Sequence, residues 1–175
     1  MKAKRARYRE RTWAPMWAWL TLGTAFLLSV GRLSYELYGI AVLGGTPADG
    51  SARELALITG GLIVLFALII AVWMCLNVEV CSDHIFISFG VVQLVRKRIW
   101  YKDIEGVRPT TYRPLRDFGG WGIRWRGNRT AWTIRGHQAV AVKLHGGREI
   151  YVGSMYPQRL AGAIQAAMRT AGAGG

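Results

Sequence analysis

Twenty-two consecutive uncharged residues, LALITGGLIVLFALIIAVWMCL at positions 55–76, constrain this chain more than any other stretch. As a helix they extend about 33 Å at 1.5 Å per residue, enough to cross a hydrocarbon core of about 30 Å. A second uncharged run, APMWAWLTLGTAFLLSVG, occupies positions 14–31. It is short for a span unless its helix continues through RLSYELYGIAVL, where Arg32 and Glu36 stand four residues apart and can pair on one face. A cleaved signal peptide is the competing reading, but no A-x-A-like site follows the apolar run. Ser51-Ala52-Arg53-Glu54 has the spacing of a capping box at the start of the second helix, and Pro47 and Gly50 break the chain before it. Residues 13–76 are therefore expected to form a two-helix transmembrane hairpin with a short external loop.

Charge orients that hairpin. Residues 1–12, MKAKRARYRERT, carry six Lys or Arg and one Glu, while residues 32–54 carry two Arg and three acids. The positive-inside rule places the basic N-terminus in the cytoplasm, and two spans return the chain there at Asn77. Trp13, Trp17 and Trp19 at the start of the first span and Trp73 near the end of the second are expected to form an aromatic belt at the cytoplasmic interface. The expected location is the cytoplasmic membrane, multi-pass, with both termini inside. Of the two cysteines, Cys75 falls in the membrane and Cys81 just past it, so a disulfide framework is not expected.

Residues 77–175 hold fifteen basic and six acidic residues, net +9 of the +13 formal charge of the whole chain. Arginine far outnumbers lysine, so part of this charge is compositional. The excess nevertheless favours an acidic partner: anionic lipid, nucleic acid or an acidic protein. HIFISF alternates at Ile85, Ile87 and Phe89; VVQLV and RIWYKDIEGV follow as strand candidates. AVAVKLH-GG-REIYVG reads as a hairpin turning at Gly146-Gly147. After Pro157, Leu160, Ile164 and Met168 recur every four residues, predicting a C-terminal helix that ends at Gly172. The expected fold is a membrane α-helical hairpin plus a mainly-β domain of about seven antiparallel strands closed by one helix.

With that pattern, and with Trp-Ala-Pro near the first span, YKDIEGV, GGWGIRW and YPQRLAGAI, the chain resembles small bacterial, actinobacterial-type membrane proteins. These have two spans followed by a cytoplasmic pleckstrin-homology-like (PH-like) domain. The resemblance implies the fold, and fold alone does not carry function.

Catalytic constellations are sparse. Cys81-Ser82-Asp83-His84 has a metal-like look without a second ligand pair at suitable spacing, and a strand-end turn is the plainer reading. Asp103 and Glu105 can form an acid pair, but the plainer reading is that they are solvated or pair with neighbouring Arg and Lys residues. His137 and His145 stand alone, Ser154 has no G-x-S-x-G context, and no P-loop or G-x-G-x-x-G is present. A non-enzyme with no metal and no cofactor is expected.

The segment 121–135, WGIRWRGNRTAWTIR, carries the binding expectation. A two-residue turn at Gly127-Asn128 sets Arg126 opposite Arg129, Trp125 opposite Thr130 and Ile123 opposite Trp132. One face then collects Trp121, Ile123, Trp125, Trp132 and Ile134, and the other Arg124, Arg126, Arg129 and Arg135 with Gly122, Ala131 and Thr133. A one-residue slip would mix the two sets. Opposed arginines repel, and Asp117 and Glu149 are the acids available to relieve them.

The basic face is either ordinary solvated surface, a site for anionic lipid headgroups, or a surface for a protein or nucleic-acid partner. Nucleic acid is disfavoured because stacking aromatics fall on the opposite face. Arg96, Lys97, Arg98 and Lys102 form a second cluster beside Trp100 and Tyr101, either as ordinary strand-end surface or as a loop facing the membrane. The functional expectation is a protein whose PH-like domain binds anionic lipid or scaffolds a partner at the inner leaflet. The alternative is an accessory subunit of a membrane complex. Its helices would associate through Gly23, Gly31, Gly60 and Gly61, with Thr21, Thr24 and Thr59 as hydrogen-bonding groups.

Overall fold

The computed structural model describes residues 7–44 and 52–172. The capping box at Ser51, the breaks at Pro47 and Gly50 and the first six basic-tail residues lie outside the described residues. The chain forms two units, residues 15–71 and the segments on either side of them.

The first unit is helical. α1 (Met16–Leu43) runs through the RLSYELYGIAVL segment and extends about 42 Å; α2 (Ala52–Trp73) extends about 33 Å. Both are long and apolar enough to cross a membrane. Arg32 pairs with Glu36 at 3.3 Å, the spacing that carries the helix across its charged stretch. Gly44 ends α1 in a left-handed conformation, its N–H donating to the Gly39 carbonyl. Phe26 and Phe66 meet edge to face at 5.3 Å. Thr59 and Thr21 donate to carbonyls of their own helices, those of Leu55 and Ala18, so within this unit they do not bridge the two helices.

α2 ends earlier than the apolar run. Cys75 and Leu76 already belong to a strand, because hydropathy does not distinguish the last turn of an apolar helix from the first residues of a buried strand.

The second unit is mainly β. Its first sheet is ordered β1 (Tyr8–Trp13), β2 (Cys75–Val80), β3 (His84–Phe89), β4 (Val95–Trp100), all antiparallel. The described end of the basic N-terminal segment is thus an edge strand of this sheet. Tyr8 pairs with Val80 and Trp13 with Cys75.

The second sheet contains β5 (Ile104–Thr111), β6 (Gly122–Arg126), β7 (Arg129–Thr133), β8 (Gln138–Leu144) and β9 (Glu149–Gly153), in the order β5-β8-β9-β7-β6. A five-residue helix, α3 (Pro114–Phe118), lies between β5 and β6, and α4 (Pro157–Gly172) closes the chain.

Alternation explains the core. Leu76, Val78 and Val80, then Ile85, Ile87 and Phe89, line the inner face of the first sheet; Val140, Val142, Ile150, Val152 and Trp132 line that of the second. Phe89 and Trp132 meet across the sheets with ring centroids 5.9 Å apart. α4 packs on β5, β8 and β2 and buries Leu160, Ala161, Ile164 and Ala167, with Met168 half-buried.

Three expectations change. Nine strands occur among the described residues, against about seven, and β7 and β9 run parallel. VVQLV is mostly the exposed tip between β3 and β4, since an apolar run of that length looks the same in a strand and in an exposed turn. RIWYKDIEGV is divided by a 3₁₀ turn, Tyr101–Asp103, so its halves enter different sheets.

Candidate functional site

The β6–β7 hairpin has the register set by its turn. Gly122 pairs with Thr133, Ile123 with Trp132, Arg124 with Ala131, Trp125 with Thr130, and Arg126 with Arg129. Gly127 takes the left-handed φ, 56°, needed at the first position of the turn. Because directly paired residues share a face, the sheet order extends that face across five strands. Arg108, Ala141, Tyr151, Ala131 and Arg124 form one row; Gly106, Lys143, Glu149, Arg129 and Arg126 form the next. Five cations thus share these two rows with one carboxylate, Glu149.

Glu149 is the hub. Its Oε1 lies 3.3 Å from Arg108 and its Oε2 3.8 Å from Arg129, while the Tyr151 hydroxyl donates to Oε2 at 3.1 Å. Burial, with the Glu149 contact adding to it, pushes the Tyr151 phenol pKa up. Lys143 pairs with Glu105 at 2.7 Å, which settles Glu105 as an ion-pair partner. Arg124 donates to the Trp121 carbonyl and Arg126 to that of Arg116; neither has a carboxylate within 4 Å among the described residues. Asp117 is used locally, accepting from the Arg113 N–H at 2.7 Å. Arg116, Asp117, Arg126, Gly127 and Arg129 line a shallow depression here.

This face also carries a small second core. Residues after β5 fold back so that Tyr112 and Phe118 cover Ala131, Ala139, Ala141 and Tyr151. The rings meet at 5.2 Å for Phe118–Tyr151 and 6.0 Å for Tyr112–Phe118. Alanines in the central strands leave room for them. The structure is therefore an aromatic plug with cations around it rather than an evenly solvated face.

Two assignments within the hairpin change accordingly. Ala131 and Thr133, expected among the arginines, are fully buried, and Trp125, expected in the core, is 73% exposed. β6 is an edge strand, so its apolar side near the turn extends past the material that covers β7. Trp132 and Ile134 are buried as expected; Trp121 and Ile123 are half-buried, with Trp121 Nε1 donating to the Gly136 carbonyl at 2.9 Å.

The other expected residues lie elsewhere. Arg135 is exposed in the bend after β7. Arg96 and Arg98 project from the outer face of the first sheet, in rows with Arg11 and Arg9 of β1. Arg9 pairs with Glu79, and Arg11 donates to Asn77 Oδ1 at 2.6 Å. Lys97 points to the opposite, inner side, where desolvation and then nearby Arg148 lower its pKa.

Trp100 pairs with His84 at the sheet end away from Cys75. It shares a pocket with Lys102, Asp83 and the end of α4. His84 Nδ1 and Asp83 Oδ1 are 2.8 Å apart in the β2–β3 turn, and no cluster able to hold a metal occurs among the described residues. Trp13 lies in β1, Trp17 and Trp19 in α1, and Trp73 at the end of α2.

Single-segment patterning did not reveal Arg108 and Lys143 as members of the face, because β5 and β8 reach it only through the sheet order. The readable signal was the alternation of Arg108 with Val107 and of Lys143 with Val142. Compared with known proteins, the chain matches no family model and has no similar sequence among curated proteins.

Proposed function

We propose that this is a non-enzymatic protein of the cytoplasmic membrane, with α1 and α2 as spans and a PH-like β domain that binds anionic lipid headgroups at the inner leaflet. The observation that carries the reading is the outer face of the second sheet, where Arg108, Arg124, Arg126, Arg129 and Lys143 outnumber the carboxylates they meet, those of Glu149 and Glu105. Basic residues close to an anionic leaflet contribute about 1 kcal/mol each. The pairing of β1 with β2 supports the topology, since strands before and after the helices belong to one sheet and so share one side of any membrane the helices cross.

The test uses full-length protein in neutral detergent, titrated with short-chain phosphatidylglycerol and phosphatidylcholine and followed by thermophoresis. Tighter binding of phosphatidylglycerol is expected, with the preference falling at least fivefold when Arg124, Arg126 and Arg129 are replaced by Gln. Equal binding of the two lipids would sink the lipid reading.

A second reading, an accessory subunit assembling through its helices, is favoured by one observation. Apart from its own stretch of helix, no atom lies within 4 Å of where a Cβ would stand at Gly23, Gly31, Gly60 or Gly61, so these close-approach positions are open to another helix. Crosslinking in native membranes tests it; a monomer with no co-purifying protein counts against it.

A further inference from the structure

The first sheet has one end from which the chain passes into both apolar helices. Trp13 pairs with Cys75 at that end, α1 begins three residues after Trp13, and α2 stops at Trp73. The same end carries the β3–β4 tip, where the Gly90 N–H donates to the Cys75 carbonyl at 2.7 Å and Phe89 pairs with Leu76 and Val95.

The tip is apolar and open. Val91, Val92 and Leu94 are 52%, 59% and 65% exposed. Gln93 has a φ of 56°, the only positive φ at a non-glycine residue among the described residues. A strained backbone there, with three apolar side chains left in the open, does not serve the domain's own core. One row back, Arg11 and Arg96 flank Asn77 and Ser88 on the outer face, and Trp13 and Trp73 are both partly exposed nearby in the chain. An apolar tip with arginines and tryptophans behind it has the layering of a membrane interface: acyl region, aromatic belt, phosphates.

We infer that the tip formed by residues 90–94 inserts into the lipid leaflet entered by α1 and α2, with Val91, Val92 and Leu94 among the upper acyl chains and Arg11 and Arg96 at the phosphates. The inference rests on the membrane reading of the two helices. It adds a third point of attachment, separate from the cationic face of the second sheet.

Spin labels on the full chain in phosphatidylcholine–phosphatidylglycerol nanodiscs test it. Val92→Cys labels the tip, Leu65→Cys the middle of α2 and His145→Cys the β8–β9 turn. Cys75 and Cys81 are buried, and the unsubstituted chain sets their background labelling. Power-saturation measurements compare access of oxygen, which partitions into lipid, with that of a water-soluble nickel chelate.

The expected result is a lipid signature at 65, a shallower lipid signature at 92 and a water signature at 145. Water at 92 with lipid at 65 overturns the inference and leaves the membrane reading standing. Water at 65 overturns both. A label at 92 shielded from both reagents means that protein covers the tip, and also overturns the inference.

Discussion

Glu10 shows how much one side chain from the N-terminal segment does for the domain. Only 8% exposed, it accepts from the Ser154 hydroxyl at 2.7 Å, the Met155 N–H at 2.6 Å and the Tyr8 hydroxyl at 2.9 Å, fixing β1 to the link between β9 and α4. Hydrogen bonds to a charged acceptor are worth more than neutral ones, and removing the acceptor leaves buried donors unmet. Glu10→Ala is therefore expected to lower stability by about 3 kcal/mol, measured as a shift in denaturant midpoint in detergent. Tyr8 gives a pH prediction. Desolvation, reinforced by Glu10, pushes its phenol up to about 12. The unfolded chain loses that proton near the ordinary value of 10, so between pH 10 and 12 the folded state binds more protons and stability falls as pH rises. Thermal midpoints across that range should fall less steeply for Tyr8→Phe than for the parent chain. The tryptophans mark the limit of the sequence at this scale. Alternation put Trp125 and Trp132 on one side correctly, but only the order of strands decides that Trp132 is covered and Trp125 is not.

Among the elements, those with a long uncharged run or a strong local period were legible: α1 and α2 by the first, and α4, β3, the β6–β7 hairpin with its register and the β8–β9 hairpin by the second. β1 was not, because YRERTW alternates charged residues with Tyr8, Glu10 and Thr12, and the buried set includes a carboxylate two of whose three partners lie more than 140 residues away. β2 was hidden inside the apolar run of α2. The parallel pairing of β7 and β9 has no local signature. It depends on close approach at Gly153, where a Cβ would stand 3.1 Å from the Thr133 Cα. A fragment of residues 77–175 therefore lacks β1 and the first two residues of β2, and leaves β3 with an incomplete neighbour. It is expected to be poorly dispersed in proton–nitrogen correlation spectra. A version in which residues 7–14 are joined through a short Gly-Ser linker to residue 74 should give the dispersed spectrum of a folded domain.

Over the whole molecule, positive charge is not confined to one side. The outer face of the first sheet carries Arg9, Arg11, Arg96 and Arg98, and that of the second Arg108, Arg124, Arg126, Arg129 and Lys143. Charge alone does not choose which face meets an anionic leaflet. Raising salt from 0.1 M to 1 M shortens the screening length from about 10 Å to about 3 Å. Headgroup binding by the arginine face should weaken across that range, while the lipid signature at position 92 should persist, as titration and power saturation can show together. The β1–β2 pairing also has a consequence for biogenesis. Sixty-one residues separate Trp13 from its partner Cys75. At about 5–20 residues per second, the ribosome takes about 3–12 s to make them. Through that interval β1 has no sheet to join, and both helices are synthesised before its partner. Closing the first sheet is thus the step that reports two completed spans, and a chain in which only one of the helices crosses leaves its first strand across the bilayer from its partner.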